Sequence, residues 1–190
     1  MRPRDDNKVE AIIEATIQLV NEIGFSETSV SKIAKRAGVS AATIYIYFEN
    51  KEDMLSKIYV QAKQKMSDRV FRGVDPTAPI RKRFDTFLTN FVEFIISNKD
   101  EYLFMEQVSN SPLLRNWCLE ETQELYAPVY EIFEEGKGQN LFKPVDLPLL
   151  VVYAIVPLAQ LAKEQFKDLF QFDDEKLRIA LDMSWDAIKR

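Results

Sequence analysis

Two short stretches of helical periodicity meet at Gly38, and few folds accommodate that arrangement. Val30, Ile33, Ala34 and Ala37 recur at helical spacing and give the first stretch a small apolar face. Ser29 or Thr28 can cap it, because a hydroxyl there accepts a bond from a free N–H one turn on. Gly38 can take the left-handed conformation that closes a helix. Ser40 is then the natural cap of a second helix carrying Ala41, Ala42, Thr43, Ile44, Tyr45 and Tyr47. Helix, glycine turn and helix make a helix-turn-helix, at about 29–48, whose second helix lies in the DNA major groove.

The second helix has the side chains for that role. Ala41 and Ala42 are small, so the backbone can approach base edges and thymine methyls. Thr43, Tyr45 and Tyr47 supply hydroxyls for phosphates or bases. The competing reading is an amphipathic hairpin inside a core. Against it, Tyr45 and Tyr47 are two apart and cannot both face one core. Thr28 and Ser29, at the start of the first helix, and Ser40, at the start of the second, complete the candidate DNA contacts on the motif. Arg2 and Arg4 can reach a minor groove as an N-terminal arm or remain a solvated tail.

From Val9 through Leu55 the chain resembles the DNA-binding domain of the TetR family of bacterial transcriptional regulators. The matching stretches are AIIEATIQLVNEIGF (Ala11–Phe25), TSVSKIAKRAGVS (Thr28–Ser40) and TIYIYFENKEDML (Thr43–Leu55). The run from Tyr45 to Glu52 is the most specific part. Ala42 stands where the family more often has glycine, and Tyr47 where histidine is common. The resemblance implies an all-α protein of about nine helices. A three-helix helix-turn-helix domain (6–66) would precede a helical ligand-binding and dimerisation domain (74–190). It also implies a double-stranded DNA operator, a homodimer and a small-molecule inducer, and it raises Lys51 from a surface lysine to a phosphate contact. Lys51 would sit at the start of a helix capped by Asn50, where free N–H groups favour an anion.

Charge distribution agrees with DNA contact. Residues 1–65 hold ten Lys and Arg against nine Asp and Glu, and the remainder fifteen against 21. The overall charge of −5 is therefore concentrated away from the motif, and phosphate contact needs only a local cationic surface. Few glycines and prolines and a 46% hydrophobic content support a sizeable core in one or two domains. The single cysteine, Cys118, rules out an internal disulfide; as a lone thiol it reads as a small core residue or an oxidant sensor. The charged start MRPRDDNK suggests no secretory signal. The longest apolar run, 147–162, is short for a membrane span and contains Pro148 and Pro157. A soluble, cytoplasmic protein with no membrane partner is expected.

A first helix near 9–23 presents Val9, Ile12, Ile13, Thr16, Leu19, Val20 and Ile23 on one side. A fourth helix begins near Lys51 and runs to about Phe71. Gly73 to Pro79 is the best domain boundary. Helices follow, one ending in a long segment where Pro128 is expected to kink the chain. Gly136 to Pro144 reads as a turn. The last two helices, about 147–170 and from Asp173 or Asp174 onward, are those that the resemblance assigns to a four-helix dimer interface. Val152, Ile155 and Val156 on one and Leu181, Trp185 and Ile188 on the other are the candidates. Apolar residues on several sides of the penultimate helix suit a helix sandwiched against a partner, and equally a central core helix.

In the family the middle helices enclose an inducer pocket. The corresponding aromatic residues here are Phe87, Phe91 and Phe94, then Phe104, Trp117, Tyr126 and Tyr130. They would suit an apolar or aromatic ligand, or simply form core. Arg81, Arg83, Arg115 and Glu106 are either polar anchors or solvated surface. With no histidine in the chain, Ser-His-Asp and Cys-His nucleophile systems and His-containing metal sites are excluded. No GxxxxGK[ST] phosphate loop is present. An enzyme is not expected, nor a cofactor. The rival is an all-helical small-molecule or lipid-binding protein whose N-terminal domain is only structural.

Overall fold

A computed structural model describes residues 6–109, 122 and 124–190 of the chain. Among these, nine α-helices account for nearly all regular structure: α1 Asp6–Glu27, α2 Val30–Arg36, α3 Ala41–Tyr47, α4 Lys51–Val70, α5 Ile80–Ser97, α6 Lys99–Ser109, α7 Ala127–Gly138, α8 Leu147–Gln165 and α9 Asp174–Ile188. The expected all-α architecture is observed. A 3-10 turn, Glu124–Tyr126, leads into α7. Among the described residues the chain forms two compact units, 6–63 with 100–109 and 122, and 64–99 with 124–190.

In the first unit α2 packs on α1 and α3 on α2. The core is Ile12, Leu19, Val20, Ile33, Ile44, Met54, Leu55 and Ile58. Thr16 is buried among them, and its hydroxyl donates to the Ile12 carbonyl at 2.7 Å, so no polar atom there goes unpaired. Ala15 and Ile17 join the buried face of α1, whereas Ile23 is exposed. The helical path of α1 is interrupted at Gly24, whose φ is +78°. α6 packs within this unit from Asp100 onward. Asn21 Nδ2 donates to the Asp100 carbonyl at 2.8 Å, Gln107 Nε2 to Asn21 Oδ1 at 3.3 Å, and the Tyr59 and Ser109 hydroxyls meet at 3.0 Å.

The second unit is built on an aromatic cluster. Phe84 meets Phe87, Phe133 and Trp185 edge-on at ring-centroid distances of 5.8, 6.2 and 5.2 Å. Phe142 closes the far side against Phe133 and Trp185. The chain end is fastened over it: Lys143 N donates to the Ile188 carbonyl and Arg190 N to the Leu141 carbonyl, both at 2.9 Å. Arg81 joins α5 to α9, donating to Asp85 at 2.8 Å and Asp182 at 2.5 Å with its guanidinium 5.1 Å from the Trp185 ring. Arg83 is not solvated: it is 6% exposed, holds Glu135 at 2.5 Å and leaves its Nε without a partner.

Three expected boundaries shift. Pro128 lies in the first turn of α7, where its missing N–H is harmless, so it starts a helix and kinks none. α7 continues through Gly136 to Gly138, and the turn begins after it. α8 stops at Gln165 rather than near Phe170; Asp168, at φ +57°, turns the chain away. At this length α8 is, by size and composition alone, apolar enough to cross a membrane. One side of it, Leu150, Ala154, Leu158 and Ala162, is nevertheless buried, in a unit where α8 packs on α5 and α9.

Gly136 lies flat against the Phe142 ring, and a Cβ there would fall inside the ring's van der Waals envelope. Gly136→Ala therefore lowers stability, since overpacking costs about 1–3 kcal/mol against a helix-propensity gain of about 1 kcal/mol. Gly138, with open space around it, provides the control. Thermal denaturation should show a lower Tm for Gly136→Ala and an equal or higher Tm for Gly138→Ala.

Candidate nucleic-acid interface

Local hydrogen bonds shape the α2–α3 motif. Ser29 is the N-cap of α2, its Oγ accepting from Lys32 N at 3.3 Å. α2 ends at Ala37, and Gly38 follows with φ +67°, a conformation that side chains with a Cβ rarely adopt. Ser40 caps α3, accepting from Thr43 N at 3.1 Å and meeting the Thr43 hydroxyl at 2.9 Å. α3 has seven residues, of which Ile44 is buried, and Phe48 is buried directly after it.

That single inward residue sets the orientation of the rest. At about 100° per residue, Ala42 and Ile46 lie almost opposite Ile44, with Tyr45 on one flank and Thr43 and Tyr47 on the other. Exposure follows this wheel. Ala42 faces solvent, Tyr45 is 56% exposed and Ile46 73%, while Ala41, Thr43 and Tyr47 are half-buried. Ile46 was not among the residues singled out from the sequence. Its signal was present in its position two residues after the one large aliphatic residue that faces the core.

Two of the expected contacts hold bonds within the chain. Thr28 is 1% exposed, and its hydroxyl donates to the Gly24 carbonyl at 2.8 Å, closing the end of α1. Lys51 Nζ donates to the Phe25 carbonyl at 2.9 Å and sits 4.5 Å from the Phe25 ring centroid. The ammonium thus braces the α1 end against the start of α4 with one of its three N–H groups. Asn50 does cap α4, accepting from Asp53 N at 2.8 Å. Lys32, Lys35 and Arg36 on α2 are exposed cations beside the motif. Arg36 pairs with Glu22 of α1 at 2.6 Å. The hydrogen bond it donates, more than its charge, holds the Glu22 carboxyl below the usual carboxylate range.

The aromatic residues of the expected ligand site fall in both units, and each is described within its own. Phe87 and Phe94 are buried in the second unit, where Phe87 packs on Phe71, Phe84 and Phe133. Phe104 is fully buried in the first unit. Tyr130 is exposed, and Phe91 and Tyr126 are half-buried. Phe94 borders a cleft of about 150 Å³ whose other walls are Arg69, Arg72, Asn90, Glu93 and Ser97, smaller and more polar than a typical ligand pocket. Arg2, Arg4, Arg115, Trp117 and Cys118 lie outside the described residues.

The expected pairing residues also divide. Val152 and Val156 are exposed and Ile155 is half-buried. Leu181 and Ile188 are buried in the chain's own core, and Trp185 is held there by Phe84 and Phe142. The apolar residues that do face outward are Leu149, Val152, Tyr153 and Val156 on α8 and Ile179 and Met183 on α9.

Comparison with known proteins agrees with this geometry. Residues 12–58 match the family model described as bacterial regulatory proteins, tetR family, and residues 79–189 match a tetracyclin repressor-like C-terminal domain. An HTH-type transcriptional regulator of Haemophilus influenzae is 24% identical over 192 residues, spanning 100% of both chains. A TetR family transcription regulator from Marinobacter aquaeolei superposes with a TM-score of 0.84 at 30% identity, over 100% of this chain and 99% of that one. The fold is also similar to FadR of Bacillus subtilis, solved in complex with stearoyl-CoA: TM-score 0.76, 20% identity, covering 94% and 98% of the two chains. The motif, the helical remainder and both matched segments lead to one assignment: the chain belongs to the TetR family of helix-turn-helix transcriptional regulators.

Proposed function

We propose that this regulator is a repressor that binds a palindromic operator as a homodimer, places one α3 in the major groove of each half-site, and is released by an apolar or aromatic small molecule. The observation that carries the DNA reading is the outward face of α3. Ala42, Tyr45 and Ile46 project from a capped helix whose opposite side is fastened by Ile44. A recognition helix needs this exposure, and the rival reading of a purely structural N-terminal domain leaves it without a purpose. Exposed Lys32 and Lys35 beside it supply positive charge for the phosphate backbone. Acting on DNA, the protein works in the cytoplasm.

Pairing is supported by the outward stripe on α8. Leu149, Val152, Tyr153 and Val156 follow three- and four-residue spacing along one side, with Ile179 and Met183 on α9. A second copy would present the same stripe, as a two-fold interface requires, and would match the two-fold symmetry of an operator. A bilayer suits α8 less well, because its other side is committed to the chain's own core. For the inducer, the fold's likeness to a regulator solved with stearoyl-CoA supports a ligand with a long apolar acyl chain. Such a ligand would act by favouring a dimer state whose recognition helices are wrongly spaced for one duplex.

Fluorescence anisotropy with DNA from upstream of the protein's own gene tests the DNA reading. Binding should weaken steeply with salt; failure to bind any such duplex would sink the proposal. Tyr45→Phe removes an exposed hydroxyl and should weaken binding by about two- to tenfold, the worth of one hydrogen bond, without changing the melting temperature. Lys51→Ala should lower the melting temperature as well, since the Phe25 carbonyl loses its partner. For pairing, Val152→Glu combined with Val156→Glu should sediment as a monomer and bind the operator at least tenfold more weakly, as burying two carboxylates in an apolar contact is strongly unfavourable. A double variant that stays dimeric would move the interface elsewhere.

A further inference from the structure

We infer that Ile46 is a specificity-determining residue that selects thymine, its side chain meeting 5-methyl groups in the major groove alongside the methyl of Ala42. The inference rests on the proposed DNA reading and adds the base that α3 recognises. Three observations carry it. Ile46 is 73% exposed, the most exposed large aliphatic side chain on α1 to α4 among the described residues. It lies almost diametrically opposite Ile44, one turn from Ala42 on the same face, so any groove that admits α3 meets these two side chains first. The third observation is chemical. Ala41–Tyr47 contains no Arg, Lys, Asn or Gln, the residues that read guanine or adenine by paired hydrogen bonds. The Thr43 hydroxyl is already shared with Ser40.

What α3 offers on its leading face is therefore methyl surface and, at one side, the Tyr45 phenol. Of the four bases, thymine alone presents a methyl group to the major groove. Burying a β-branched side chain against it removes apolar surface from water on both partners. The recognition helix thus favours A·T pairs at its centre, and selectivity comes from contact with a carbon atom rather than from a donor–acceptor pattern.

The test uses the full chain and a half-site obtained by selection from a random duplex pool. Each thymine is then replaced singly by deoxyuridine, which removes the 5-methyl and leaves base pairing intact. At one or two positions per half-site the wild-type protein should lose about fourfold in affinity per methyl, the worth of one buried carbon. Ile46→Ala should bind the thymine duplex more weakly and show no further loss with deoxyuridine at those positions. Ile46→Val should fall between the two. Since Ile46 is exposed, all three proteins should melt alike. If Ile46→Ala keeps full affinity, or keeps the uracil penalty, the inference is overturned while the DNA reading stands. That result would point to Ile46 as a protein-contact residue. If the wild-type protein selects no sequence at all, the DNA reading falls, and this inference with it.

Discussion

The placement of Ile44 is the constraint on which the rest depends. A seven-residue helix has too few side chains to be held by a broad apolar face. α3 is held instead by one aliphatic anchor, by Phe48 just beyond its end, and by the Ser40 cap at its start. With those three fixed, rotation about the helix axis is no longer free, and every other side chain is assigned a direction. α3 packs on α2. The buried residues of the unit are Ile12, Leu19 and Val20 on α1, Ile33 on α2, and Met54, Leu55 and Ile58 on α4. Lys51 and Thr28 both bond carbonyls at the α1 end.

The second unit solves a different problem. From Leu147 to Ala159 α8 carries apolar residues on every side, and Gln160 and Lys163 to Gln165 follow. Its own chain covers the Leu150–Ala162 side. α9 is more evenly divided: Ala180, Leu181, Ser184 and Ile188 face inward, while Ile179 and Met183 face outward. Arg81, bound by Asp85 and Asp182 and lying on Trp185, locks α5 and α9 in register with charges at the edge of the aromatic cluster. Arg83 is a costlier element, because a buried guanidinium with an unpaired Nε is offset by one half-exposed carboxylate.

Features governed by neighbours a few residues away were legible in the sequence. The caps Ser29, Ser40, Asn50 and Asp173 each act on an N–H three residues on; the local pattern marked the helix start in each case and left Thr28 or Ser29 and Asp173 or Asp174 open. The left-handed turn at Gly38 is equally local. Features decided by distant partners were not legible. Nothing near Thr28 or Lys51 reveals that their polar atoms are spent on carbonyls of α1. Uniform apolarity hid which side of α8 and α9 faces inward, so Leu181 and Ile188 were placed outside. Aromatic spacing could not distinguish rings that pack on one another from rings that enclose a space, and Phe84, Phe87 and Phe133 do the former. Ile46 is an aliphatic residue between two tyrosines, and only the inward turn of Ile44 marks it as outward-facing.

The interleaved path of the chain has a bearing on how such regulators diversify. The first unit is completed by α6, which arrives only after the chain has passed through α5 of the second. Exchanging DNA-reading heads between relatives is therefore not a matter of one crossover after α4. A transplanted head would leave Asn21 and Tyr59 facing a foreign helix in place of Asp100 and Ser109. Shuffling that preserves the head needs two breakpoints, and point changes on α3, which touch no such seam, are the easier path to new operators.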